Sequence, residues 1–282
     1  MVISMKLKYI VTKECIVKEY MKELNLSKRF CKKVKLYGKI LINGVESKNY
    51  YPLKINDELV LEYNEEMNDN IAICDNLLNI KYEDENILII EKPISLASQP
   101  SHLHFENNVV SMVKKYFVDK GIDSNVHVVN RLDYQTSGLM AIAKNGYTHH
   151  ALTKEKIINR KYYCIVEGLL DKKEGTINKG IKREMEGSIK RIVCDDGFPS
   201  ITHYKVIKEN NNRSLIDVKL DTGRTHQIRV HFKYLGHPLV GDKLYGKEDI
   251  RLFLHCYNLS FKNPLNGLDI NIESVPDFYK EF

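Results

Sequence analysis

Between Ile87 and Leu220 the chain carries six short apolar runs: Ile87–Ile90, Val126–Val129, Leu139–Ala143, Tyr162–Val166, Thr202–Ile207 and Ser214–Leu220. Runs of this length suit strands and are too short for helices. Helical spacing fills only some of the gaps, near Val109–Val118 and His150–Glu155. A doubly wound sheet needs a helix at each crossover, so this irregular order predicts an α+β fold.

The region before these runs has a different texture. Residues 1–54 hold 13 Lys and Arg against 4 Asp and Glu, a balance of +9, which leaves −3 for the rest of a chain of net charge +6. Ile16, Tyr20, Met21 and Leu24 share one helical face, and Asn25-Leu26-Ser27 offers a stop followed by an N-cap. A second short helix follows, with Phe30, Val34 and Leu36 inward and Lys28, Arg29, Lys32, Lys33 and Lys35 outward, until Gly38 breaks it. Lys39–Asn43 reads as a strand entering an Asn43-Gly44 turn, and Asp57–Tyr63 as another strand. Residues 1–65 therefore read as a compact module whose basic helix is the footprint of a nucleic-acid grip. Residues 66–78, rich in Asn, Asp and Glu, read as a linker, and residues 79–282 as the larger domain.

Composition removes several classes. No apolar run approaches the roughly 20 residues of a membrane span. Lys6, Lys8, Lys13, Glu14 and Lys18 interrupt any secretory leader, so a cytoplasmic location is expected. Six cysteines without a CxxC pair argue against zinc. There is no GxGxxG fingerprint, P-loop or HExxH, and neither a cofactor nor a metal is expected.

Polar clusters carry the chemistry. Asn130-Arg131-Leu132-Asp133-Tyr134-Gln135-Thr136-Ser137-Gly138 joins two strands and sets Asp133 in a loop at a strand end. Alone, Arg-Leu-Asp is a common turn sequence. Arg160-Lys161-Tyr162-Tyr163 opens a strand, with a ring that either packs in the core or stacks on a base. Thr222-Gly223-Arg224-Thr225-His226-Gln227-Ile228-Arg229 leads into a helix predicted from about 225 to 235, capped by Thr225 and stopped by Gly236 and Pro238. Ile228, Phe232 and Leu235 form its buried face. Arg224, His226 and Arg229 gather at its start and call for an anion. Gly241-Asp242-Lys243-Leu244-Tyr245-Gly246 reads as a turn, and His255 in Leu254-His255-Cys256 reads equally as a core or a working histidine.

In this order the clusters resemble the RluA/RluD family of RNA pseudouridine synthases. The resemblance runs from about residue 80 to the C-terminus, beginning at Tyr82–Pro93, and the front segment resembles the alpha-L RNA-binding domain. It implies a mixed, mainly antiparallel central sheet of the pseudouridine synthase type and an isomerase that converts uridine in structured RNA. It also implies roles. Asp133 is expected to supply the catalytic carboxylate, Arg131 to fill the gap left by a flipped uridine, Tyr163 to lie against the uracil, and Arg229 to pair with Asp133 and aim it. Arg224, His226 and the basic helix join Arg131 as RNA contacts. Two positions depart from the family pattern: Asn130 stands where many members have His, and Ile94-Ser95 replaces a small residue followed by Gly.

Ribosomal RNA is the first expected partner and transfer RNA the second, with a monomer sufficient and no membrane involved. A non-catalytic RNA-binding or RNA-folding protein on the same scaffold is the alternative. A metal-dependent RNA hydrolase using Asp133, His226 and His231 ranks third.

Overall fold

A computed structural model describes residues 2–24, 26, 28–66, 70–154 and 158–282. The front part contains β1 (Val2–Ile10), β2 (Cys15–Ile16), α1 (Val17–Glu23), α2 (Lys28–Tyr37), β3 (Gly38–Ile42), β4 (Val45–Ser47), β5 (Pro52–Leu53) and β6 (Glu58–Glu66). Its four-stranded sheet runs β1-β6-β3-β4. Val17, Tyr20 and Met21 of α1 and Val34 of α2 pack with Leu59 and Leu61 of β6 in one apolar cluster, which Tyr147 from the larger part joins. Asn43 and Gly44 take positive φ of 50° and 81° at the hairpin turn. Asp57 fixes that turn by accepting from Asn43 Nδ2 and from the Lys54 amide, both at 2.8 Å.

The front helix departs from its sequence pattern in one respect. Leu36, expected inward, is 56% exposed in the last turn of α2, which runs straight into β3. Lys28, Lys32 and Lys35 are exposed, while Lys33 lies over the Tyr63 ring and donates to its hydroxyl. Asn25, Ser27 and the Arg29 side chain lie outside the described residues, as does Glu155.

The larger part follows with β7 (Asn79–Glu83), β8 (Ile87–Lys92), α3 (Val109–Asp119), β9 (His127–Val128), β10 (Ser137–Ala143), α4 (Gly146–Lys154), β11 (Asn159–Glu167) and β12 (Glu174–Asn178). It continues through β13 (Ile181–Arg183), β14 (Arg191–Val193), β15 (Ile201–Asn210), β16 (Arg213–Leu220), α5 (Gln227–Tyr234), β17 (Leu254–Lys262), β18 (Asp269–Glu273) and α6 (Asp277–Glu281). The fold is α+β, built on a ten-stranded sheet ordered β12-β15-β16-β11-β17-β10-β8-β7, with β18 on β17 and β9 on β10. Its ladders are antiparallel except β10–β17, which pair in parallel through Ser137↔His255 and Gly138↔Cys256.

Four of the apolar runs form β8, β10, β11 and β16 inside this sheet. Ile87, Leu88 and Ile89 on β8 and Leu139, Met140 and Ala141 on β10 are fully buried, since strands covered on both faces need apolar residues at every position. Asn108 caps α3 by accepting from the Ser111 amide at 3.0 Å. The edge strands, by contrast, are short or polar. No helix among the described residues is long and apolar enough to cross a membrane.

Candidate active site

The backbone of the loop between β9 and β10 is tied down along its length. Asn130 is buried at its start, accepting from the Ala141 amide at 2.7 Å and donating to the Leu139 carbonyl at 3.3 Å. It thus closes the loop onto β10. Ser98 holds both polar groups of the Leu132 backbone, accepting from its amide at 3.1 Å and donating to its carbonyl at 2.6 Å. The Thr136 amide donates back to the Asp133 carbonyl at 3.0 Å. Beneath the loop Lys92, fully buried, donates to the carbonyls of Pro93, Leu96 and Tyr134 at 2.8, 2.9 and 3.3 Å. Burial pulls its ammonium down to about 7, and the Asp133 charge acts in the opposite sense.

The Asp133 side chain, 26% exposed, reaches a cleft of about 770 Å³. Its Oδ2 lies 3.4 Å from Nη1 of Arg229 and 3.9 Å from Nε2 of His226. Arg229 is not held by Asp133, however. Its Nε and Nη2 donate to the two oxygens of Asp242, both at 2.7 Å, and Asp242 also accepts from the amides of Leu244 and Tyr245. A bidentate fork fixes the plane of a guanidinium, so Nη1 is left pointing at Asp133. Burial opposes the Arg229 charge, but the Asp242 bonds and charge and the Asp133 charge outweigh it, and the group ends above its ordinary value.

Helix α5 begins at Gln227, two residues later than its sequence suggests, and Thr225 does not cap it. His226 takes the N-cap in the left-handed region, φ 58°. Gln227 does the fastening: its Oε1 accepts from Thr222 Oγ1 and the Arg224 amide, and its Nε2 donates to the Ile201 carbonyl and Thr202 Oγ1. Burial lowers the His226 pKa, with partial opposition from Asp133, so its ring is neutral near pH 7. Tyr245 Oη accepts from the Arg191 amide and lies 2.8 Å from His226 Nδ1. The bonding is satisfied when Tyr245 donates to Nδ1, which leaves the Nε2–H facing Asp133.

The paired tyrosines separate, since adjacent residues on a strand point to opposite faces. Tyr162 lines the cleft with Asp133, Arg160 and Arg229. Tyr163 lies on the other side of β11, stacked between Tyr257 at 3.8 Å and Tyr279 at 4.4 Å between ring centroids. The expectation that Tyr163 lies against the substrate is therefore corrected: it faces away from Asp133.

With this geometry in view, comparison with known proteins is decisive. The sequence profile of RNA pseudouridylate synthase matches residues 86–234. The Bacillus subtilis protein named RNA pseudouridine synthase YjbO is 39% identical over 257 residues, covering 88% of this chain and 91% of its own. The ribosomal large subunit pseudouridine synthase C of Rickettsia prowazekii is 38% identical, covering 70% of this chain and 68% of its own. The chain belongs to the RNA pseudouridine synthase family. Its fold is also that of the solved human RNA pseudouridylate synthase domain containing 1, with a TM-score of 0.60 at 24% identity over 73% of this chain and 86% of that one.

Other expected site residues of this family member take different positions. Arg131 is exposed at the cleft and donates to Gln99 Oε1 at 3.4 Å. Arg224 is exposed, with its guanidinium 5.4 Å from the centre of the Phe198 ring. Lys28, Lys32, Lys33 and Lys35 belong to the front part and do not line the cleft. His231 is buried with both nitrogens engaged, by Thr202 Oγ1 at 2.9 Å and the Lys179 carbonyl at 3.1 Å, which removes it from the hydrolase ligand set. Among the described residues no three of His, Cys, Asp and Glu gather as a metal site. Sequence reasoning missed Tyr162, Asp242, Lys92, Ser98 and Gln227. For Tyr162 a signal existed, because the strand's alternation gives the two tyrosines different faces.

Proposed function

We propose that this synthase converts uridine to pseudouridine in a structured RNA, with Asp133 as the catalytic carboxylate. One observation carries the reading: a partly buried carboxylate stands in a cleft that also holds Arg131, Arg160, Arg224 and Arg229, with Arg229 aimed at it by Asp242. The nucleoside's N1–C1′ bond breaks, the uracil turns within the cleft, C5 bonds to C1′, the C5 hydrogen leaves as a proton, and N1 takes up a proton. The base never departs, so confinement does the work of a cofactor.

In this reading Tyr162, in place of Tyr163, is the ring against the uracil. Burial holds its phenol well above the ordinary value, so it serves as a wall and an O–H donor rather than as a ready base. Arg131 fills the stack vacated by the flipped nucleotide, whose extrusion costs a few kcal/mol. Arg224 and His226 flank the bound strand. The front part, of alpha-L type, grips RNA through Lys28, Arg29, Lys32 and Lys35, with Lys33 bracing the helix on Tyr63. Ribosomal RNA of the large subunit is the first substrate and transfer RNA the second. A cytoplasmic monomer is sufficient for this activity.

The test is release of tritium from RNA carrying uridine labelled at C5, by wild type and Asp133→Asn, with a metal chelator present. Release by the wild type alone is expected. Equal release by both proteins removes Asp133 from the mechanism, and release abolished by the chelator favours a metal enzyme.

A further inference from the structure

Ser137, the first residue of β10, directly follows the catalytic loop, and its hydroxyl is buried. Arg251 Nη2 donates to Ser137 Oγ at 2.8 Å, and Ser137 Oγ lies 2.8 Å from His255 Nδ1. His255 Nε2 lies 2.9 Å from the Ser274 carbonyl. A carbonyl only accepts, so Nε2 carries the ring proton and Nδ1 is a lone pair. Ser137 must then donate to Nδ1 while it accepts from Arg251. Each of these bonds has one direction, running Arg251 to Ser137 to His255 to Ser274.

This chain of bonds stands where the sheet is otherwise weakly joined. Strands β10 and β17 pair in parallel only at Ser137↔His255 and Gly138↔Cys256. Gly138 has φ 116°, and a Cβ there would meet the Cys256 backbone oxygen at 2.3 Å. The loop's exit is therefore pressed against β17 and keyed there by a cross-strand side-chain pair. Asn130 anchors the opposite end of the same loop. Arg251 also lies over the Phe278 ring of α6, at 5.5 Å, so the key reaches the C-terminal helix.

We propose that Arg251, Ser137 and His255 form a positioning relay that fixes the exit of the catalytic loop and thereby the aim of Asp133 at the substrate. They touch the reaction only through the loop. Its catalytic consequence rests on the pseudouridine reading; its mechanical consequence does not. Misplacement of a reacting group by about 1 Å costs roughly 100-fold in rate. Loss of the relay acts on the chemical step and spares RNA affinity.

The experiment compares wild type with Ser137→Ala, Ser137→Thr, His255→Gln and the Ser137→Ala/His255→Gln double variant. Ser137 borders a cavity of about 400 Å³, and threonine keeps its hydroxyl. Amide hydrogen exchange of residues 130–136 is measured alongside single-turnover C5 tritium release at saturating RNA, RNA Kd and Tm. Ser137→Ala and His255→Gln are each expected to lose protection in the loop and slow release by roughly 10- to 100-fold. Kd should stay within about twofold. The double variant should be no slower than the worse single one, and Ser137→Thr should be close to wild type. Unchanged loop exchange in Ser137→Ala overturns the proposal, and so does lost protection with an unchanged rate, or additive losses in the double variant. A wild type that releases no tritium speaks against the pseudouridine reading alone, and the exchange measurement still decides whether the relay holds the loop.

Discussion

Tyr162 and Tyr163 are neighbours in sequence, yet they serve the two faces of the central sheet, and those faces are built differently. The cleft face gathers charge: Asp133, Arg160 and Arg229 surround a space open to solvent. The back face satisfies itself. Tyr163 is sandwiched by Tyr257 and Tyr279, Tyr257 donates to Asp217 at 3.1 Å, and α6 lays Phe278 on Ile165, Leu215 and Val240. A group whose partners are all within the fold stabilises; a group aimed at empty space awaits a substrate. The comparison predicts that substitutions on the cleft face change rate and those on the back face change stability, except at the Ser137–His255 relay, which acts on both.

The largest effect should come from splitting the tyrosine pair. Tyr162→Leu is expected to slow single-turnover isomerisation by roughly 100-fold, through loss of the wall that orients the uracil. Tyr163→Leu should lose two ring stacks, each worth about 1 kcal/mol, and lower Tm. Its rate should stay within about twofold of wild type. The reverse pattern would return the substrate-facing role to Tyr163.

Next is Asp242, where the two faces' rules meet in one residue. Asp242→Asn keeps the volume and breaks a fully buried ion pair, which costs about 3–5 kcal/mol because the Arg229 charge stays behind. Urea melts should register that cost. The rate should fall as well, since Nη1 of Arg229 loses its fixed direction toward Asp133. A melt at wild-type values would mean that Asp133 alone can neutralise Arg229.

A titration on the back face should have a smaller effect. Burial holds His255 down to about 4, from an ordinary 6.5. Between those values the unfolded chain binds a proton that the folded chain refuses, so stability falls as pH drops from 6.5 toward 4. A shift of this size corresponds to about 3 kcal/mol over the full window. His255→Gln lacks the titration, so its stability should decline less steeply with acid than that of wild type, as followed by urea melts at several pH values. Parallel declines would place the acid sensitivity in other groups.

Local patterns were legible in the sequence and distant contacts were not. The α+β class and the Asn130–Gly138 loop announce themselves within a dozen residues, because strand length and glycine placement are local, whereas the start of α5 was placed two residues early, at Thr225. Arg229 and Asp133 were paired through family resemblance, although 96 residues separate them. Asp242 stayed hidden because Gly241–Gly246 reads as a turn, and only the fold brings it to Arg229. Ser137 lies more than a hundred residues from both Arg251 and His255 in sequence, which left His255 undecided between core and site. The choice of Tyr163 over Tyr162 was an error of phase: a period of two shows that neighbours diverge, not which of them faces Asp133. Strand β1 was missed although Ile3, Met5, Leu7 and Tyr9 alternate with Ser4, Lys6 and Lys8 at strand spacing, because no continuous apolar run marks it.

The smallest effect concerns the turn where the two faces meet. Ser95 follows β8, between buried Lys92 and buried Leu96, and adopts φ 57°. That is the left-handed region, which favours glycine. A serine there costs about 1–2 kcal/mol in the folded state. Replacing it with glycine removes the strain but adds roughly 0.4–1 kcal/mol of unfolded-state freedom. The net gain expected of Ser95→Gly is therefore about 0.5 kcal/mol, a small rise in Tm with an unchanged rate. Ser95→Val should be worse than wild type, since a β-branched side chain tolerates this backbone least. Should Ser95→Gly slow the reaction instead, the weak bond from Ser95 Oγ to Gln135 Oε1, at 3.4 Å, would belong to the support of the catalytic loop. The boundary between the stabilising and the reacting side of the sheet would then run one turn further from Asp133 than the geometry draws it.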